Sequence, residues 1–283
     1  MTVLEVIQRS TDFLAKKGVD SPRLQTEWLL ASVLQVPRLK LYLDFDRKLS
    51  ETELGSTREL VRRRGDREPL QHILGSASFC GVEIKVGPQV LVPRPETELL
   101  AERAWQQLST CVALRPAALD YGTGSGCMAI ALALRCSTAE IHALDVSAEA
   151  LDVARANAAT NGVADRIRFY SGDGFSALAE NLAYDLIVSN PPYIPSAEID
   201  SLSPEVRDHD PRLALDGGQD GLDFYRRLAA EAAGFLRPQG RMMLEFGDGQ
   251  AEQVRGFLVQ HNWIVESVEA DYSGKPRILT ARR

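Results

Sequence analysis

The chain has 283 residues, 45% of them hydrophobic and 25% charged, with a net charge of −7 at pH 7. That length accommodates one large domain and a smaller one, with an apolar fraction usual for globular proteins. The acidic balance argues against a protein that grips nucleic acid mainly through phosphates, and no apolar stretch approaches the ~20 residues of a membrane span. The four cysteines, Cys80, Cys111, Cys127 and Cys136, form no CxxC pair. With no secretory signal in the first residues, they read as free thiols of a reducing cytoplasm.

The first 75 or so residues read as helical. Val3, Val6, Ile7 and Leu14 keep a rough helical period, and Gly18 is placed to end that helix. Ser21-Pro22 predicts an N-cap followed by proline at the first helical position. A short helix is expected over Leu39 to Phe45, and Ser50 with Glu53 predicts a capping box for a fourth. That helix ends in Arg62-Arg63-Arg64-Gly65. The arginines either complement the helix dipole or form a contact patch for an acidic or RNA-bearing partner.

From Gly75 to Val92 the pattern is that of strands. Val82, Ile84 and Val86 alternate, Gly87-Pro88 predicts a turn, and Val90-Leu91-Val92 predicts the returning strand of a hairpin. Pro93-Arg94-Pro95-Glu96-Thr97-Glu98 follows, with Pro95 and the acids suited to a helix start. After Pro116 strands and helices alternate, which predicts a parallel sheet covered on both faces. The expected strands are Ala117 to Asp120, Ile141 to Asp145, Ile167 to Tyr170, Tyr184 to Ser189 and Arg241 to Phe246. Two more are expected over Ile264 to Val268 and Arg277 to Ala281. Ile194 to Asp220 is irregular and reads as a lid or substrate loop.

Four successive strand ends, carrying Asp120, Asp145, Asp173 and Asn190, hold the chemistry. Asp120-Tyr121-Gly122-Thr123-Gly124-Ser125-Gly126 lies between a strand and a helix, where glycines let a ligand approach the backbone. Asp145, 19 residues past Gly126, is placed to accept hydrogen bonds from ribose hydroxyls. Spacing alone admits a dinucleotide site. The glycine order opposes it, because Cys127 stands where G-x-G-x-x-G needs its third glycine. Asp120 at the loop entrance suits a cationic ligand with an ammonium and a sulfonium, namely S-adenosylmethionine. Asp173 and Gly174 end the third strand and are expected near the adenine. The fourth strand stops at Ser189-Asn190-Pro191-Pro192-Tyr193, where two prolines stiffen the loop and leave carbonyls and one carboxamide facing outward. Such a loop can hold a planar NH2 group, with Asn190 and a proline-segment carbonyl accepting its hydrogens and Tyr193 covering its face.

These motifs together resemble the HemK/PrmC family. Asn190-Pro191-Pro192-Tyr193 is similar to its catalytic motif, and Gly122-Thr123-Gly124-Ser125-Gly126 to its methionine-side loop. Arg64 to Gly75 resembles its linker, and Val92 to Glu98 its cofactor lid; Phe79-Cys80-Gly81, Glu205-Val206-Arg207 and Gly217 to Leu222 also fit. The resemblance implies a Rossmann-like, class I S-adenosylmethionine methyltransferase fold of seven strands, the last antiparallel. Its expected domains are a helical substrate-recognition domain over 1–74, a hairpin linker over 75–93 and the methyltransferase domain over 94–283. The implied activity is methylation of the side-chain nitrogen of the Gly-Gly-Gln glutamine in class I peptide-chain release factors. A monomer without direct nucleic-acid or membrane binding is expected. Two other substrates share the loop chemistry: a ribosomal-protein glutamine, and an adenine or guanine base of nucleic acid. Tyr121 stands where the family commonly has leucine, Cys127 where it has alanine, and Gly174 where an aromatic covers adenine, a role that falls to Phe175.

Overall fold

The computed structural model describes residues 1–283. It forms two compact units, residues 1–76 with 203–209, and residues 77–202 with 210–283.

In the first unit, α1 (Val3–Lys16), α2 (Pro22–Leu34), α3 (Glu51–Gly65) and the short α4 (Leu70–Leu74) follow one another, with a 3-10 turn over Arg38–Tyr42. Thr2 with Glu5 and Ser50 with Glu53 each close a reciprocal capping box, satisfying amides that a helix start leaves free. Ser21 differs from expectation. Its backbone is left-handed, with a φ of 47°, in place of the extended conformation of an N-cap, and it makes no side-chain cap. The arginine run is spent internally. Arg62 pairs with Glu59 and Asp66, Arg63 with Glu68, and the buried Arg64 with Gln25 and Glu205. These pairings are those that the stabilising reading of the run expects.

The second unit opens with a hairpin, β1 (Ser76–Phe79) and β2 (Val82–Lys85). Its turn is Cys80-Gly81, with φ of 50° and 82°, the doubly left-handed geometry that matches strand twist in two-residue turns. Gly87-Pro88 is therefore not the hairpin turn, and 90–92 pairs with no strand, although Val90 and Val92 are buried. Helix α5 (Pro95–Ser109) leads to β3 (Ala117–Tyr121), α6 (Cys127–Arg135), β4 (Glu140–Asp145), α7 (Ala148–Thr160), β5 (Ile167–Ser171) and β6 (Tyr184–Ser189). Beyond the one-turn α8 (Pro204–Arg207), which belongs to the first unit, come α9 (Asp223–Glu231), β7 (Leu236–Glu245), α10 (Ala251–Gln260), β8 (Ile264–Ala270) and β9 (Pro276–Arg282).

The sheet order is β5-β4-β3-β6-β7-β9-β8. Pairing is parallel from β5 to β7, and β9 runs antiparallel to both β7 and β8. Both faces are buried, as alternate residues show. Ala118, Leu186 and Val188 join one core with α5, α6 and α7, while Leu119, Ile187 and Leu244 join the other with α9 and α10. No helix is long and apolar enough to cross a membrane.

One buried side chain ties the hairpin to the sheet. Asn157 on α7 is fully buried; its Oδ1 accepts the Lys85 N–H at 2.8 Å, and its Nδ2 donates to the Lys85 and Ser125 carbonyls at 3.0 and 2.9 Å. Asn157→Ala leaves three backbone groups without their partner, one of them through loss of the buried bond to the Ser125 carbonyl. It should lower the unfolding free energy in a urea titration by at least about 1–3 kcal/mol.

Candidate active site

Parallel strands in register finish at one edge, and a ligand site in such a sheet forms there. Tyr121 lies opposite Leu144, and Asp120 opposite Val188, so the loops after β3, β4 and β6 emerge side by side. Between them opens a cleft lined by Tyr121, Gly122, Gly124, Asp145, Asn190 and Pro192, among others.

The glycine loop is strapped to its neighbour strand. The amides of Gly122 and Thr123 both donate to the Leu144 carbonyl, at 2.8 and 3.0 Å. Gly122 and Gly124 take φ of 77° and 54°, and a Cβ on either would project into open space. The two glycines thus leave bare backbone along the cleft, the condition for a ligand to lie against it. Asp145 lies beside the loop. Its Oδ2 accepts the Gly124 N–H at 2.8 Å and its Oδ1 the Ser147 N–H at 2.9 Å, while burial raises its pKa. Each oxygen retains a lone pair for a hydroxyl.

Asp120 is placed differently from the expectation. It is 2% exposed and does not line the cleft. Its Oδ2 accepts the Thr123 hydroxyl at 2.6 Å and the Ala129 N–H at 3.1 Å, and burial pushes its pKa up to about 7. The carboxylate braces the loop from beneath. Thr123 and Ser125 are buried as well, and Gly126 closes against Ala154. Asp173 and Gly174 both line the cleft, yet the Asp173 carboxylate is mostly exposed and pairs with Arg227.

Asn190 holds the most telling position. Its Nδ2 donates to Thr97 Oγ1 at 3.0 Å, whereas its Oδ1 is buried and has no hydrogen-bond partner. Buried acceptors are nearly always satisfied, so an orphan on a cleft wall marks where a ligand's donor belongs. Pro192 lines the cleft next to it, while Pro191 is buried beneath. Tyr193 is half-buried against the second core and outside the cleft lining, and its carbonyl accepts Gln250 Nε2 at 2.9 Å. His142 is structural, buried in β4 against the Tyr184 hydroxyl at 2.8 Å, and burial lowers its pKa.

Several lining residues escaped the sequence reading. Gln89, Val90 and Leu91 line the cleft from the stretch expected to be a strand. Leu213 and Ala214 do so from the irregular stretch, whose Asp210 pairs with Arg94 at 2.7 Å. Thr97 was legible only as part of the Pro-Arg-Pro-Glu-Thr-Glu segment.

Residues 5–75 match the family model described as PrmC N-terminal domain, and 96–203 match Methyltransferase small domain. The chain is 43% identical to the release factor glutamine methyltransferase of Geobacter sulfurreducens, over 99% of this chain and 96% of that protein. It is 45% identical to the protein of the same name from Chlorobaculum tepidum, over 91% and 89%. Among solved structures, a methyltransferase from Pyrococcus furiosus shares the fold at a TM-score of 0.52 and 20% identity, over 72% of this chain and 90% of that one.

Phe175 corrects a further expectation. It is 3% exposed, stacked on Phe235 with ring centroids 4.8 Å apart and tilted against Tyr121 at 5.0 Å, and it does not line the cleft. The ring has chosen the core, where its whole surface is covered. Phe175→Ala should therefore cost about 3–5 kcal/mol of unfolding free energy in denaturant titration. Loss of the exposed carboxylate in Asp173→Ala should cost under about 1 kcal/mol.

Proposed function

The chain belongs to the release factor glutamine methyltransferases, and from that premise we propose that it methylates the side-chain nitrogen of the Gly-Gly-Gln glutamine in class I peptide-chain release factors. The methyl donor in this reading is S-adenosylmethionine, which when bound supplies a methyl activated by its sulfonium. The bare backbone at Gly122 and Gly124 and the carboxylate of Asp145 are the groups that would hold it, with Gly174 beside them. The observation that carries the reading is the buried, unpartnered Asn190 Oδ1 on the cleft wall.

An amide nitrogen is a weak nucleophile, since its lone pair is delocalised into its carbonyl. A glutamine carboxamide in the cleft offers two N–H donors. Asn190 Oδ1 accepts one, and the Pro191 carbonyl is proposed to accept the other. Two neutral acceptors draw electron density toward the nitrogen and fix the plane of the group. Pro192, on the cleft wall beside Asn190, limits how far that plane can tilt. Positioning of this kind can contribute roughly 7–11 kcal/mol toward a barrier when the geometry is right. No titratable base is required at the nitrogen, and its surplus proton passes to water. The protein is proposed to act as a cytoplasmic monomer.

Incubation with a release factor and labelled S-adenosylmethionine, followed by mass spectrometry of the Gly-Gly-Gln peptide, should place one methyl on the glutamine. A release factor with Gln→Ala at that position should take none. Label entering DNA, ribosomal RNA or a ribosomal protein in place of the release factor would overturn the assignment. Asn190→Ala should lower kcat by about 10²-fold or more, with a modest change in cofactor affinity by calorimetry.

A further inference from the structure

Asn190 is held by Thr97, and Thr97 lies beside a carboxylate that the reaction as described does not use. Thr97 lies in the first turn of α5 and is 4% exposed. Its oxygen accepts Asn190 Nδ2–H at 3.0 Å, and its side chain lies beside the Glu245 carboxylate, whose ionised form it favours. Glu245 closes β7, is 2% exposed, and its Oε2 has no partner. An unpaired carboxylate oxygen at a buried strand end is costly.

A threonine hydroxyl has one proton to give. If that proton goes to the Glu245 carboxylate, Thr97 faces Asn190 as an acceptor only. The NH2 of Asn190 must then point to Thr97, which turns its Oδ1 into the cleft. If Glu245 is protonated, it can donate to Thr97 instead. The Thr97 proton is then free for the Asn190 oxygen, and the carboxamide turns over to face the cleft with its NH2. A substrate carboxamide nitrogen would meet a donor where it needs an acceptor.

We propose that Thr97 and Glu245 are positioning residues, and that an ionised Glu245 sets the direction of the chain Asn190–Thr97–Glu245 so that Asn190 faces the substrate as an acceptor. This deepens the methyltransferase reading and rests on it. The groups around Glu245 act in both directions. Glu96 on α5 opposes its charge, while Arg94 before α5 and Arg277 on β9 favour it. Tyr193 and Tyr225 are the other titratable neighbours, and the Tyr225 hydroxyl donates to the Glu245 backbone carbonyl at 2.9 Å. Burial outweighs the arginines and pushes the Glu245 carboxyl up to about 7. The ionised form is therefore lost as the pH falls through neutrality, and turnover should fall with it.

The test measures kcat on a release factor across that range for the wild type, Thr97→Val, Thr97→Ser and Glu245→Gln, with the Asn190 side-chain 15N resonance followed in the free protein. In the wild type, kcat should drop below about pH 7 along a one-proton limb, and the Asn190 resonance should titrate with the same midpoint. Glu245→Gln, which has no proton to gain, should lose both. Thr97→Val keeps the volume and should lose about 10²-fold in kcat with cofactor affinity unchanged, and Thr97→Ser should restore it. A limb that persists in Glu245→Gln, a Thr97→Val enzyme with wild-type kcat, or a Thr97→Ser enzyme as poor as Thr97→Val would overturn the proposal. A wild type without turnover at any pH would count against the substrate alone, because the resonance reports on the chain with no substrate present.

Discussion

The site depends on the pairing of β3, which is parallel and in register on both sides. Asp120 faces Ala143 of β4 and Val188 of β6 at the same level. Strands aligned in this way end together, so the glycine loop, Asp145 and Asn190 leave the sheet at one edge although they are far apart in the chain. The alignment is strongly specified because each strand is buried on both faces. Slipping β6 by one residue would move Ile187 into the core that now holds Leu186 and Val188. It would also carry Asn190 by about 3.3 Å, more than the length of the hydrogen bond it makes.

Polar groups near this edge fall into two kinds. Those that build the loops are satisfied: Asp120 by Thr123 and Ala129, Asp145 by two backbone amides, and Asn157 by three backbone groups. Asn190 Oδ1 and Glu245 Oε2 are buried and lack partners. Of these two, Asn190 lines the cleft, where a ligand's donor can complete it, while Glu245 lies behind it. Three acidic residues sit at successive strand ends, yet only Asp145 presents a fixed carboxylate to the cleft; Asp120 props the loop and Asp173 is engaged by Arg227.

What the amino-acid sequence revealed follows from how local the deciding forces are. The strand Tyr184–Ser189 was readable to both ends, because an apolar run meets two prolines and the ladder must stop. The capping box at Ser50 was readable for the same local reason. The hairpin was misplaced because Cys80 adopts a left-handed conformation that its identity does not advertise, whereas Gly87-Pro88 looks more like a turn. The destination of Phe175 depended on Tyr121 and Phe235, two rings from other elements. Thr97 and Glu245 are far apart in the chain, and they come together beside Asn190 because α5 packs against β6 and β7. An acid closing the run Met242-Met243-Leu244 was the one hint that Glu245 had a task.

The stretch 203–209 packs with the helical unit, whereas the residues on either side of it pack with the sheet. Within that unit Glu205 meets Arg64 and Arg67, each at 2.7 Å. The polypeptide thus passes between the units three times, and neither one is an uninterrupted segment. A module of this kind cannot be cut out and grafted elsewhere as a cassette, since excising the helices leaves their anion behind. Recombination that swapped the front of the gene would have to replace a patch in its middle as well, so the two parts are bound to be inherited, and to diverge, together.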